Sequence, residues 1–282
     1  MSATVCIIWD YDAAIGQVNA SYPYNFHEEN LLHEIENVER ILEHGRKYKT
    51  PMTFAVTGFA AEEGHFPYHV PQQIRRIYED GHEIASHSWR HEWFPYLTRE
   101  QAVRSLRRSK MALEKCIGIQ GKVTGFVPPF SRPMSWYSRG AVSLGDRVFG
   151  PWYPGASLGS LLALVEEAGY RWCRVTYRPL VNRILRSGQE PRRFQRHGGL
   201  WCVPQHTTGF GSKAIALLRA LHGTGGTLVV TGHPLGLSLP HEENLRKLVE
   251  FLETVSEMRE DDAVAISTVE DVVRRLESGD GN

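Results

Sequence analysis

The sequence has no excess of charge of either sign, because 32 basic residues balance 32 acidic ones. A neutral chain has no long-range field that draws it to nucleic acid or to a membrane surface, so we predict neither partner. Any preference for an anionic substrate must then come from a local cluster. The chain also has only four cysteines, widely separated and without a Cys-x-x-Cys pair. We expect buried free thiols in a reducing cytosol rather than a disulfide framework or a zinc ribbon.

Long hydrophobic runs are also missing. The apolar run at residues 5–9 has no basic segment before it and is too short for a signal peptide or a membrane span. It predicts a first β-strand, no membrane span and a cytoplasmic location. No glycine-rich phosphate loop follows this strand, which argues against an open, doubly wound sheet that binds nucleotides.

What the sequence does contain is an alternation of strand-like and helix-like runs over most of its 282 residues. This alternation predicts an α/β fold in which a parallel sheet closes into a barrel. A chain of this length can form one barrel or two small domains, and we predict a single domain over 1–282. The predicted strands are 5–9, 53–57, 82–86, 123–127, 171–175, 200–204, 227–231 and 263–267, and the predicted helices are 28–44, 71–80, 98–117, 158–168, 212–222, 241–259 and 268–277.

Carboxylate and histidine side chains stand at the ends of three predicted strands. Asp10 and Asp12 end the first, His87 ends the third with His91 four residues later, and His233 follows strand 227–231. In a βα barrel such positions meet at one rim. We expect the two neighbouring histidines to lie side by side on one helical turn, where both can bind one metal ion. Each feature alone has a simpler interpretation, as surface histidines or as a turn or helix cap.

A carboxylate and two histidines leave coordination positions open, which is typical of catalytic rather than structural zinc. An ion bound in this way polarises a carbonyl group and lowers the pKa of a bound water. The second carboxylate and the third histidine would then supply a base and an acid. The set therefore predicts metal-assisted hydrolysis.

Three segments resemble the motifs of one family. Residues 81–91, GHEIASHSWRH, are similar to the second motif of the polysaccharide deacetylases, the NodB-homology domain of carbohydrate esterase family 4. Residues 10–13 resemble the first motif and residues 228–234 the last. The likeness spans nearly the whole chain and is weakest over 130–165.

The resemblance implies an irregular barrel of about seven or eight strands, as is usual for this fold class. It also implies one divalent metal ion, with zinc as the first expectation and cobalt, nickel or manganese as alternatives. By analogy with the family motifs, Asp12, His87 and His91 would hold the metal, Asp10 would be the general base and His233 the general acid.

The chain departs from the third family motif, Arg-x-Pro-aromatic. The matching residues 127–130 are VPPF, so Val127 stands where the family has the arginine that orients and charges the base. Arg132 lies five residues further on and could replace it from the loop. Without the arginine the base is less stabilised as an anion. The departure therefore predicts an activity that is tuned, altered in substrate or lost.

We predict substrate contacts from two loops and from an arginine-rich stretch. Pro129, Phe130, Arg132 and Trp152 belong to the long irregular segment 128–157, and Leu235 follows the last motif, where the resemblance implies an acyl pocket. Eight arginines and no lysine lie within 171–197. They predict recognition of a phosphate or carboxylate group on the substrate, with a solvated edge as the alternative.

The leading hypothesis is a metal-dependent hydrolase of carbohydrate metabolism that removes an acyl group, expected to be acetyl, from the nitrogen of an amino sugar or a similar small amide. Its partner would be a small-molecule or saccharide substrate, and a homo-oligomer is left open. The alternative enzyme is a ring-opening amidase of the allantoinase or cyclic-imide type. A degenerate, non-catalytic binding module is the third hypothesis, and it is motivated by Val127.

Overall fold

The computed structural model describes residues 3–20, 28–94, 97–130, 158–175, 193–221, 225–238 and 242–279. Within these ranges ten strands form one sheet. They are β1 (Ala3–Tyr11), β2 (Thr53–Val56), β3 (Glu83–Ser86), β4 (Gly125–Phe126), β5 (Trp172–Val175), β6 (Gln195–His197), β7 (Leu200–Pro204), β8 (Thr207–Thr208), β9 (Thr227–Gly232) and β10 (Val264–Ile266).

The sheet is mostly parallel and curls around β1. Its order is β6-β7-β5-β4-β3-β2-β1-β9-β8, and β10 pairs with the first residues of β1. The hairpin of β6 and β7 is antiparallel. In the part of the chain that the structure describes, the terminal strands β6 and β8 do not pair with each other, so the barrel is irregular.

Helices flank the sheet. They are α1 (Ala13–Ala20), α2 (Glu28–Lys47), α3 (Pro71–Glu79), α4 (Arg99–Ile117), α5 (Leu158–Glu167), α6 (Ser212–Ala220), α7 (Glu243–Glu260) and α8 (Val269–Ser278), with short 3-10 turns at Gly58–Ala61 and Pro234–Ser238. Helix α4 begins at a capping box, in which Thr98 and Gln101 satisfy each other's backbone groups, and ends at Gly118 in the left-handed region. No helix in these ranges is long and apolar enough to cross a membrane.

The predicted elements are present, and the α/β barrel is confirmed. All eight predicted strands and all seven predicted helices occur, with bounds that differ by a few residues. Helix α1 and the short strands β6 and β8 were not predicted. Helix α1 has no charged residue, and its two polar residues, Gln17 and Asn19, are too few to mark a solvent-facing side in the sequence. The extent of the domain stays a prediction.

Two apolar cores hold the barrel together. The larger lies between the outer face of the sheet and the helices. The smaller fills the inside of the curl, where Cys6, Ile8 and Trp172 pack with residues of β2, β3, β7 and β9. Helix α8 closes the end of the barrel at which the strands begin, because its valines belong to this inner core. A Cβ on Gly125 would lie 2.0 Å from the ring of Trp172, so only glycine fits there.

Side chains on the inner face rise in layers. Because side chains alternate along a strand, Asp10 continues the inner row of Cys6 and Ile8, and Arg174 continues that of Trp172. The apolar layers therefore lie deep in the barrel, and polar side chains appear where the strands end. The next layer outward is the candidate site.

Candidate metal and catalytic site

Three side chains converge at the carboxyl ends of β1 and β3. Asp12 follows β1, and its Oδ1 lies 3.3 Å from the Nε2 of His87 and 3.3 Å from the Nε2 of His91. Both histidines are buried, and Asp12 is partly buried. The ligand atoms of the three residues all lie within 4.8 Å of one another. One carboxylate oxygen and two imidazole nitrogens are a donor set that suits zinc and similar transition metals.

The chemistry of these atoms fits a cation. The Nδ1 of His87 lies 2.7 Å from the carbonyl oxygen of Val127, and a carbonyl can only accept, so Nδ1 carries the proton. In the neutral imidazole Nε2 then has a free lone pair, which is the usual arrangement of a metal-binding histidine. Among the described residues, neither Asp12 Oδ1 nor His87 Nε2 has a hydrogen-bond partner, although both are buried. Two such acceptors aimed at each other are costly unless a cation lies between them.

The two histidines do not share a helical turn, as the spacing had suggested. Residues 87–91 form an irregular turn, in which Ser88 and His91 have positive φ values of 68° and 62°. The amide nitrogen of Gly58 donates to the carbonyl oxygen of Ser88 at 2.9 Å, and the next amide along donates to that of Trp89 at 2.9 Å. The first turn after β2 therefore holds the histidine loop, and the imidazoles converge through backbone geometry rather than helical periodicity.

Helices α1 and α2 support Asp12, the carboxylate among the three candidate ligands. A Cβ on Gly16 would lie 2.8 Å from the Cβ of Asp12 and 3.4 Å from that of His91, so glycine lets α1 pack against both ligands. The buried Glu34 accepts from the amide nitrogen of Asp12 at 3.3 Å and from the side chain of Gln17 at 2.7 Å. Burial, and then the charge of Asp12, raise the pKa of Glu34 well above its ordinary value. This glutamate was not predicted, although a carboxylate on the apolar stripe of α2 was a signal for it.

Asp10 is held by an arginine from another strand. Arg174 on β5 donates from both terminal nitrogens to the two carboxylate oxygens of Asp10, at 2.5 Å and 2.6 Å. Both side chains are buried. Burial alone would raise the pKa of Asp10, but the guanidinium of Arg174, with a smaller contribution from His233, holds it below its ordinary value. Asp10 is therefore an ionised carboxylate next to the three candidate ligands.

The expectation that the base lacks an arginine is therefore wrong. Arg174 was grouped by sequence with a cluster that recognises anionic substrates, but its guanidinium faces Asp10 inside the barrel. Arg132, the replacement considered from the loop, lies outside the described residues. An arginine in the middle of the apolar run Trp172–Val175 was the signal that the sequence offered.

His233 stands across from Asp10. It follows β9, and its Nε2 lies 3.7 Å from Oδ2 of Asp10. Its side chain is 45% exposed, so it reaches both the site and solvent. The residue is followed by the 3-10 turn Pro234–Ser238, which carries the partly buried Leu235. An exposed imidazole beside a buried carboxylate can move a proton between substrate and solvent.

The remaining predicted contacts divide into three groups. Phe130 packs its ring edge-on against His91, with centroids 4.5 Å apart, and Pro129 is buried beside it. Trp152 lies outside the described residues, as do four of the eight arginines of 171–197. Of the described four, Arg171 pairs with Glu277, Arg174 with Asp10, and Arg196 donates to a carbonyl in its own turn, whereas Arg193 is exposed.

Comparison with known proteins agrees with the motifs. Residues 33–147 match the family model for polysaccharide deacetylases. This segment contains His87, His91 and Val127, and it begins after Asp10 and Asp12 and ends before His233. No curated protein matches the sequence. The resemblance to polysaccharide deacetylases is therefore confirmed.

Solved structures show the same fold. A candidate polysaccharide deacetylase from Mycobacterium smegmatis is similar with a TM-score of 0.69 at 20% identity, over 100% of this chain and 92% of that one. Another, from Pseudomonas aeruginosa PAO1, has a TM-score of 0.66 at 14% identity, over 98% and 91%. The Puue allantoinase has a TM-score of 0.65 at 16% identity, over 98% and 90%. At these identities the likeness shows the fold alone, an irregular α/β barrel of the NodB-homology type.

Proposed function

We propose that this protein is a metal-dependent hydrolase that removes an acyl group, acetyl in the first instance, from the nitrogen of an amino sugar or a similar small amide. One observation carries the proposal. The Oδ1 of Asp12 and the Nε2 atoms of His87 and His91 converge beside an ionised Asp10 and an exposed His233. The family match supports a deacetylase or amide-hydrolase role in the same direction.

Asp12, His87 and His91 would hold one divalent ion, and zinc suits their one oxygen and two nitrogen donors. When bound, such an ion supplies Lewis-acid polarisation of the acyl carbonyl and of the attacking water. The protein's share is to fix the ligands. The carbonyl of Val127 holds the tautomer of His87, and Gly16 lets α1 approach the other two ligands.

Asp10 has the chemistry of a general base. Its lowered pKa keeps it ionised at neutral pH. Arg174 occupies one lone pair on each carboxylate oxygen, and an ionised carboxylate offers about four, so each oxygen can still accept a proton from an attacking water. Oδ2, the oxygen nearer to His233, faces the same space as the imidazole. A proton accepted at Oδ2 of Asp10 therefore stays close to His233, the proposed proton donor.

His233 has the position of a general acid. Cleavage of an amide requires a proton on the departing nitrogen, because an unprotonated amide anion is a poor leaving group. The imidazole lies 3.7 Å from Oδ2 of Asp10 and is half-exposed, so it can exchange protons with solvent. Asp10 and His233 then act in sequence, the first accepting a proton and the second donating one.

The test is an assay of acetate and free amine released from N-acetylated amino sugars, free, oligomeric and nucleotide-linked, by the protein loaded with zinc. Asp10→Asn should lower kcat by about a hundredfold or more while metal content is unchanged. If Asp10→Asn instead loses the metal, the roles of Asp10 and Asp12 are exchanged. His233→Asn should have a similar effect on kcat, and His197→Asn, on the exposed strand β6, is its matched control.

The other hypotheses give different results in the same assay. A ring-opening amidase opens allantoin or a cyclic imide and releases no acetate. A binding module retains metal and turns over no amide. The binding-module hypothesis was motivated by the missing arginine beside the base, and the pairing of Arg174 with Asp10 removes that motivation. Turnover of cyclic imides alone would replace the proposed substrate class.

We also propose an anionic group on the substrate and a cytoplasmic site of action. Among the four described arginines of 171–197, the intramolecular contacts of Arg171, Arg174 and Arg196 leave Arg193 for the first proposal, and Arg192 precedes it in the sequence. Replacing both Arg192 and Arg193 with alanine should raise KM for a phosphorylated substrate and leave kcat nearly unchanged, because such contacts bind ground and transition states alike. Equal KM values for wild type and variant would assign the pair to a solvated edge.

A further inference from the structure

The arginine that pairs with Asp10 lies on β5, one strand away from the motif position on β4. Strands β4 and β5 pair in parallel, with Gly125 opposite Trp172 and Phe126 opposite Cys173. Continuing this register by one residue places Val127 beside Arg174. The two residues therefore stand at the same height, on neighbouring strands, at the rim where Asp10 lies.

Both residues point into the barrel. Val127 and Trp172 belong to the inner core, and alternation places Arg174, two residues after Trp172, on the same face. A second long side chain on β4 would compete with the guanidinium of Arg174 for the space around Asp10. Val127 instead presents a small apolar group on that inner face, while its backbone carbonyl accepts a hydrogen bond from Nδ1 of His87. The valine and the arginine thus form a matched pair.

We propose that Arg174 is the positioning residue of Asp10 and replaces, from β5, the arginine that Val127 lacks on β4. Its effect on the reaction rests on the proposed function. It fixes the carboxylate through two N–H···O bonds, at 2.5 Å and 2.6 Å, between two buried side chains. A lysine supplies the charge as a single point and cannot repeat this geometry.

The shared register of β4 and β5 predicts that the arginine can be exchanged between positions 174 and 127. Arg174→Val should lower kcat by about a hundredfold or more and change KM little, since the residue acts through Asp10 and does not touch substrate. Val127→Arg with Arg174→Val should recover at least about a tenth of the wild-type kcat. Arg174→Lys should recover much less. Arg107→Met, an arginine on α4 that pairs at the surface with Glu167, is the matched control.

A double-mutant cycle separates positioning from direct action on substrate. If Arg174 acts only through Asp10, the variant with both Asp10→Asn and Arg174→Val should be no slower than Asp10→Asn alone. Additive losses in kcat, or an unchanged kcat in Arg174→Val, would overturn the proposal. Metal content of every variant is measured in parallel, because a loss of the ion would lower kcat for another reason.

A second readout does not require turnover. Arg174→Val leaves a buried carboxylate without its guanidinium partner, so the urea midpoint of this variant should fall, and adding Val127→Arg should restore it. In an Asp10→Asn background, Val127→Arg should give no such gain. If the wild type hydrolyses no amide, the proposed function fails, and this measurement still decides whether an arginine on either strand serves Asp10. The proposed exchange would be overturned if Val127→Arg restores neither the urea midpoint nor the kcat of Arg174→Val.

Discussion

Glu83 is the buried acid most suited to a quantitative test, and it lies at the end of the barrel opposite the candidate site. It is the first residue of β3 and is almost fully buried. Its Oε2 accepts from the hydroxyl of Thr53 at 2.7 Å and from the amide nitrogen of Glu270 at 3.0 Å, and its Oε1 accepts from the indole of Trp172 at 3.0 Å. Burial opposes ionisation, whereas these three donors favour it.

Burial prevails, and it raises the pKa of Glu83 from 4.5 to about 7. The folded protein then holds a proton that the unfolded chain has already released. The stabilisation is complete below pH 4.5, where both states are protonated, and it is lost as the pH rises through 7. At 1.36 kcal/mol for each pKa unit, the group lowers the free energy of unfolding by about 3 kcal/mol between these limits.

Urea unfolding of wild type and Glu83→Gln, at intervals from about pH 4 to pH 9, measures this contribution directly. Glutamine does not titrate, so the variant should gain about 3 kcal/mol relative to wild type across the range, whatever its offset at low pH. Titration of the metal site cancels in the difference, because that site is the same in both proteins. Thr53→Val removes a donor that favours the carboxylate, so it should shift the fall in stability to higher pH.

A difference between wild type and Glu83→Gln that stays constant with pH would contradict the raised pKa. It would mean that three hydrogen bonds compensate fully for burial and that Glu83 ionises as it does in the unfolded chain. Hydrogen bonds and desolvation would then have been weighed wrongly for this pocket. A difference that grows only above pH 7 would also contradict the expected magnitude, because the wild type should by then have lost most of the stabilisation.

Two further predictions concern the metal. We expect one divalent ion per chain, and elemental analysis should show that His87→Ala has lost most of it; full metal content would contradict the assignment. Adding zinc to the chelated wild type should raise its melting temperature, and His87→Ala should not show this rise. Gly16→Ala should weaken metal affinity by about tenfold or more, because the added Cβ lies 2.8 Å from that of Asp12. Gly159→Ala, with open space around it on α5, is its control and should bind metal normally.

The fold was predictable because its signals are local and repeat. Apolar strands alternate with amphipathic helices, and a capping box and a C-terminal glycine bound α4. The errors fall where such signals are weak. Helix α1 has no charged face, and β8 has two residues, too few to show a period. Alternation of strands and helices predicts a closed parallel sheet as a class. It does not predict the antiparallel pairing of β6, or that no described strand joins β8 to β6.

The candidate site was predictable in its residues and not in its geometry. Strand ends meet at one rim, so Asp10, Asp12 and His87 were expected to lie together, and they do. The convergence of His91 was expected from a helical turn. It depends instead on positive φ values and on backbone hydrogen bonds from Gly58, which no spacing rule contains.

Arg174 shows why a motif and a site are different things. A motif is a string along one strand, and by that measure the base had lost its arginine at Val127. A carboxylate inside a barrel can contact any side chain at the same height, whichever strand carries it. Neighbouring strands are about 4.8 Å apart, and an arginine side chain is longer than that, so its guanidinium can reach the same point from either strand. An absent motif residue is therefore evidence of lost function only when the layer around the site contains no equivalent group. Here the layer contains one, with both oxygens of Asp10 paired.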